Sequence, residues 1–104
     1  MSLISSAIRE SAKGKECQVR LPGICNHDSS TVVLAHVGGG SGIAQKCDDI
    51  HSTYICSACH DVIDGRAGPV LLSEVTIRLY TLEAMIRTQR IFLKLGLIQV
   101  PDEQ

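Results

Sequence analysis

The chain has 104 residues, 44% of them apolar, with nine glycines and five cysteines, and its aromatics are limited to Tyr54, Tyr80 and Phe92. That is enough chain and apolar material for one domain with an aliphatic core; it excludes a repeat array or a disordered tail, and the cysteines suggest a metal staple. Ten Lys and Arg against eleven Asp and Glu, with pI near 6.4, exclude a protein held on nucleic acid by bulk charge, so any such contact needs a local patch.

Residues 1–13 place Leu3, Ile4, Ala7 and Ile8 on one helical face before Gly14, which predicts a short amphipathic helix. Cys17, Val19 and Leu21 alternate ahead of the Pro22-Gly23 turn, which predicts a short strand and a knuckle returning to Cys25. Thr31–Val37 is β-branched and apolar and reads as the clearest strand. It runs through His36 into the glycine-rich loop Gly38–Gly42, which fits no phosphate-binding P-loop because no Lys-Ser/Thr follows. A helix of two to three turns is expected from Ser57 to Gly65, and a longer one over about 73–95. Ser73 is its N-cap, Val75, Leu79, Leu82, Ile86 and Leu93 form its apolar face, and Glu74/Arg78 and Glu83/Arg87 pair along its surface. That face could serve the core or a homodimer. The 34 residues after Val70 are too few for a second core, so residues 1–104 read as a single domain whose centre spans about 14–66.

No apolar run approaches the ~18 residues of a membrane span, and the first 30 residues carry no signal-peptide core. This predicts a cytoplasmic protein with no membrane partner. In that compartment thiols stay reduced, and an odd number of cysteines argues for metal ligation over disulfides. Cys56 and Cys59, three residues apart at a helix start, can face one zinc ion. Two further ligands are needed. Cys17 and Cys25 would complete a four-cysteine structural site, and the rival set is Cys47, His51, Cys56 and Cys59. Cys56–His60 also spells the C-x-x-C-H haem attachment pattern. Haem is not expected, since attachment belongs to exported proteins and three aromatics offer little to wall it.

His36 at a strand end is by itself an ordinary surface or core histidine. With His60 directly after Cys59, clamping the knuckle to the helix would bring the two histidines to one side of the zinc, giving a general base and a metal ligand in one site. His27, in the CNHD stretch, reads as a turn residue. Arg9, Lys13, Lys15 and Arg20, with Arg78, Arg87, Arg90 and Lys94, could track a DNA backbone.

Ala35-His36 at a strand end, a glycine-rich loop, His51, the Cys56/Cys59 pair and His60 leading into a helix together resemble the HNH, or His-Me finger, endonucleases. More closely, CQVRLPGIC at 17–25, CSACHDVIDGR at 56–66 and the RTQRIFLKLG stretch are similar to the YbcO family of prophage nucleases, over about Gly14 to Gly96. The resemblance implies an α+β ββα-metal fold with flanking helices, and a metal-dependent endonuclease that hydrolyses DNA phosphodiester bonds. In it His36 activates water, His60 binds a catalytic divalent cation such as Mg²⁺, His51 fills the middle slot, and the four-cysteine zinc is structural. Arg66 loosely meets a later basic position as a phosphate contact. Ala35 stands where many HNH enzymes have a second metal ligand, so Asp48, Asp49 or Asp64 would have to replace it. The competing expectation is a non-catalytic zinc-ribbon-like module that binds DNA or protein.

Overall fold

The Ser5 side chain accepts a hydrogen bond from the Ile8 amide and caps α1 (Ser6–Glu10) in this computed structural model, which describes residues 3–38 and 48–101. The helix is shorter than the sequence suggests. Leu3 is extended, donating its amide to Asp48 Oδ1 (2.6 Å) and accepting from the Asp49 amide (2.8 Å), so its backbone is committed to a distant segment. Leu3 and Ile4 are consequently exposed, and Ile8 and Ala12 enter the core. Past Glu10, the Ser11 hydroxyl bonds to the Ile8 carbonyl and to the Tyr54 hydroxyl, competing with the helix as side-chain hydroxyls do.

The strand expected at Cys17–Leu21 does not form. Cys17, Gln18 and Val19 are buried in succession, so the alternation of a half-buried strand is absent. Arg20 takes a positive φ of 51°, which ends any extended run. The chain then turns sharply, with the Ile24 and Cys25 amides both bonded to the Leu21 carbonyl and Gly23 at φ 71°.

Asp28 caps a 3-10 turn at Ser29–Thr31, which removes Thr31 from the predicted strand. β1 is therefore Val33–His36, and it pairs antiparallel with β2 (Ser52–Ile55), with Val33 opposite Ile55 and His36 opposite Ser52. β2 is buried at every residue and, at four residues, is too short to have shown a period in the sequence. α2 (Ser57–Ile63) follows at once, as expected, and Gly65 leaves it at φ 76°. The order is thus strand, strand, helix, with α1 and a long α3 (Glu74–Lys94) flanking it.

α3 has the expected Ser73 cap but turns a different face inward. Val75, Leu79, Leu82, Ile86 and Leu93 are exposed, and the buried side is Thr81, Ala84, Thr88 and Phe92. Thr88 satisfies its hydroxyl on the Ala84 carbonyl and also meets the Tyr54 amide at 3.3 Å. Phe92 packs edge-on against Tyr54, with ring centroids 5.8 Å apart. Of the two predicted surface pairs, Glu74–Arg78 forms (3.5 Å), whereas Arg87 donates to the Gln18 carbonyl and leaves Glu83 without an ion pair among the described residues. Cys47 and the loop residues 39–47 lie outside the described residues, as do Met1 and Ser2. No helix among the described residues is long and apolar enough to cross a membrane.

Candidate metal centre and candidate active site

The turn at 21–25 and the N-terminus of α2 bring two pairs of cysteines together. The sulfurs of Cys17, Cys25, Cys56 and Cys59 lie within 4.8 Å of one another, and Cys56 and Cys25 are 3.8 Å apart. A tetrahedron with ~2.3 Å metal–sulfur bonds has edges of about 3.8 Å, so the four could hold a metal ion such as zinc. The seven residues between Cys17 and Cys25 are accommodated because the positive φ at Arg20 and Gly23 folds them into a compact knuckle. Cys56 and Cys59 join this set, and the alternative ligand His51 is instead exposed beside Asp48, 3.8 Å away.

The thiols disagree about their protons, as closely packed sulfurs must. The Cys59 thiol donates to Cys17, and this, helped by the backbone amides around it and opposed by burial, holds Cys17 down to about 4. Burial first, then the charge of Cys17, pushes Cys25 up to about 11. Cys59 is pushed up by its role as donor to Cys17 and by burial. Metal ligation by a cysteine takes its thiolate form, so a divalent cation bound here would oppose the upward push on Cys25 and Cys59. His27, read as a turn residue, sits at φ 54° with Nδ1 3.7 Å from the Cys25 sulfur, against the outside of the knuckle.

His36 closes β1 and faces an aspartate. Its Nε2 is 2.8 Å from Asp49 Oδ1, and its side chain is one-third exposed while that of Asp49 is wholly buried. The other Asp49 oxygen accepts from the Ser5 amide (2.6 Å) and from Arg9 Nε (2.9 Å). Burial alone would raise this carboxyl, but the Ser5 amide, His36 and Arg9 together outweigh it and hold Asp49 at about 2. An ionised Asp49 accepts a hydrogen bond from Nε2 and so favours the tautomer in which Nδ1 is the accepting nitrogen. The backbone is pinned as well, since the amide of Val37 donates to the His51 carbonyl at 2.8 Å. His51 therefore touches this region through its main chain.

The sequence reading missed the part played by Asp49, Arg9 and Ser5 because these lie about 40 positions apart and no local pattern joins them. His36 also lines an open cavity of about 800 Å³ whose walls include Val62 and Ile63 of α2 and Leu72, Ile77 and Arg78 before and within α3. His60 is not among the cavity's lining residues; its Nε2 stands 3.2 Å from Asp64 Oδ2, one turn on. Arg66, exposed, is engaged by Asp61 (2.9 Å) and Asp64 (2.7 Å). Of the three aspartates considered as an extra ligand, Asp49 is saturated and Asp48 accepts from the Leu3 amide, whereas Asp64 stands beside His60.

The chain is similar to known proteins. A protein described as "Putative nuclease YbcO" from Escherichia coli (strain K12) is 45% identical over 94 residues, covering 88% of this chain and 96% of its own, and one of the same description from Enterobacteria phage 82 matches to the same extent. A solved structure titled "Structure of a putative bacteriophage protein from Escherichia coli str. K-12 substr. MG1655" superposes with a TM-score of 0.73 at 44% identity, covering 86% of this chain and all of that one. The family model described as "Putative nuclease YbcO" matches residues 6–97, from α1 to just beyond α3, and the chain belongs to that family.

Proposed function

We propose that the chain is a metal-dependent endonuclease of the HNH type that hydrolyses DNA phosphodiester bonds, with His36 as its general base. The observation that carries this reading is the His36–Asp49 pair: a partly exposed imidazole at the end of β1, held through Nε2 by a buried carboxylate, beside an open cavity. A base held in one tautomer on a side chain one-third exposed is suited to activating a water. The strand–strand–helix order and the relatives described as nucleases support the same reading.

In this mechanism Nδ1 of His36 takes the proton of a water attacking the phosphorus in line, and Asp49 stabilises the imidazolium that results. The carbonyl of His51 fixes the backbone just past His36, which is how the middle position of the motif contributes to orientation. His60, with Asp64 as the neighbouring ligand in place of the residue occupied by Ala35, offers an imidazole and a carboxylate 3.2 Å apart on one turn of α2. His60 and Asp64 would hold a Mg²⁺-type ion there through an imidazole nitrogen and a carboxylate oxygen. A divalent ion bound there supplies neutralisation of the scissile phosphate and the leaving 3′ oxygen. Arg66, six residues after His60 and past the end of α2, serves as a phosphate contact, oriented by Asp61 and Asp64. The four cysteines would hold a zinc ion in a structural role, because four thiolate ligands suit a closed site.

The test is nicking of supercoiled plasmid in Mg²⁺ or Mn²⁺ by the zinc-loaded protein and by zinc-loaded His36→Ala. Nicking that disappears in the variant supports the assignment. Absence of cleavage of plasmid, branched and single-stranded DNA by the wild type would favour a zinc-ribbon-like binding module.

A further inference from the structure

A surface helix of a single domain buries one face, and α3 carries its more apolar stripe on the other. The buried one runs through Thr81, Ala84, Thr88 and Phe92. On the far side of the helix Val75, Leu79, Leu82, Ile86 and Leu93 are 37–76% exposed. These five recur at steps of four, three, four and seven, with Gln89 in the position skipped by the last step. That is a heptad seam of period 3.5, the spacing that keeps one stripe facing another helix, where a lone helix on a globular core follows 3.6. Five apolar side chains in one stripe form a patch that monomeric domains seldom leave to water.

We propose that α3 pairs through this seam with α3 of a second copy of the chain, parallel and about a two-fold axis running along the helices. The flanking charges select both the partner and the direction. With Leu79 and Ile86 as a positions and Val75 and Leu82 as d positions, Arg78 is a g residue and Glu83 the following e residue. In a parallel pair g meets the e position five residues on in the other helix, so Arg78 of each copy faces Glu83 of the other, giving two ion pairs. Both side chains are exposed, and Glu83 has no ion pair of its own among the described residues. The antiparallel register that keeps the whole seam matched sets Val75 against Leu93 and brings the two Glu83 side chains together at the axis, where like charges repel. Arg78 and Leu82 also line the His36 cavity, so the second helix borders its rim.

The seam covers fewer than three heptads, so association is expected at micromolar concentration. Sedimentation equilibrium of the zinc-loaded protein should give twice the 11.2 kDa of one chain. Leu79→Glu/Ile86→Glu, which changes only outward side chains, should give a single-chain mass with unchanged helical circular dichroism and zinc content. Glu83→Arg should weaken the dimer and Arg78→Glu/Glu83→Arg restore it. In a Cys47→Ser background, Leu79→Cys should form a disulfide with itself under mild oxidation, as only a parallel pair allows. A single-chain mass for the wild type up to its solubility limit, or a dimer that survives Leu79→Glu/Ile86→Glu, overturns the proposal. A dimer in which Leu79→Cys fails to cross-link overturns the parallel arrangement.

Discussion

Replacing Asp49 by Asn removes one negative charge from a fully buried position that serves three donors, the Ser5 amide, Arg9 and His36. The size of the effect follows from linkage. A carboxyl whose ordinary value is 3.8 and which is held at about 2 in the folded protein is favoured as the anion. At 1.36 kcal/mol for each tenfold change in acid dissociation, the difference of 3.8 − 2, or about 1.8, amounts to about 2.5 kcal/mol. Because the folded value is the lower one, this stability is fully present above pH 3.8 and is lost as pH falls towards 2. Urea denaturation of wild type and Asp49→Asn should therefore differ by about 2.5 kcal/mol at pH 7, a large share of the roughly 5–15 kcal/mol typical of a domain. The gap should close as both are acidified from pH 4 towards pH 2. Acid release of any bound zinc affects both proteins and cancels in the difference. A gap that is absent at neutral pH, or that persists unchanged at pH 2, would refute the view that an ionised Asp49 ties α1 to the end of β1.

Further outcomes follow from the same geometry. Zinc-loaded Asp49→Asn should keep measurable nicking activity but lose at least tenfold relative to wild type, and His36→Ala should lose essentially all of it, since orienting the base is worth less than supplying it. Titrating the protein with a chelator, followed by circular dichroism, should unfold the 17–25 knuckle and α2 together, and Cys17→Ser or Cys59→Ser should abolish stoichiometric zinc binding; a fully folded metal-free protein would contradict the structural role. Phe92→Ala should destabilise by about 3–5 kcal/mol in thermal or urea melts, because the ring is fully buried against Tyr54, whereas Ile86→Ala should change the stability of the isolated chain by under about 0.5 kcal/mol. His60→Ala and Asp64→Ala should each raise the Mg²⁺ concentration needed for half-maximal nicking while leaving zinc content unchanged.

Much of this was legible in the chain itself. The C-x-x-C step at Cys56–Cys59, the Ser73 cap, Gly65 after α2 and the Pro22-Gly23 turn are local signals, and each acts within a few residues of where it is read. A thiolate pair or a cap needs only its own helical turn, so sequence spacing is sufficient to place it. Which second pair completes the metal cluster was decided by folding, because the positive φ at Arg20 turns an expected strand into a knuckle and carries Cys17 and Cys25 to Cys56 and Cys59. The same holds for His36, whose partner Asp49 the sequence suggested only as one of three replacement metal ligands; burial and the arrival of Ser5 and Arg9 from the α1 segment make it the buried partner of the imidazole. The inward face of α3 is the clearest case of tertiary override. Hydrophobicity favours Val75, Leu79, Leu82, Ile86 and Leu93, yet Thr81, Ala84 and Thr88 face the core, because a closely packed buried strand admits small side chains and offers the Tyr54 amide to the Thr88 hydroxyl. A sequence reports how apolar each face of a helix is, whereas the space and the polar groups waiting opposite it exist only once the rest of the chain is in place.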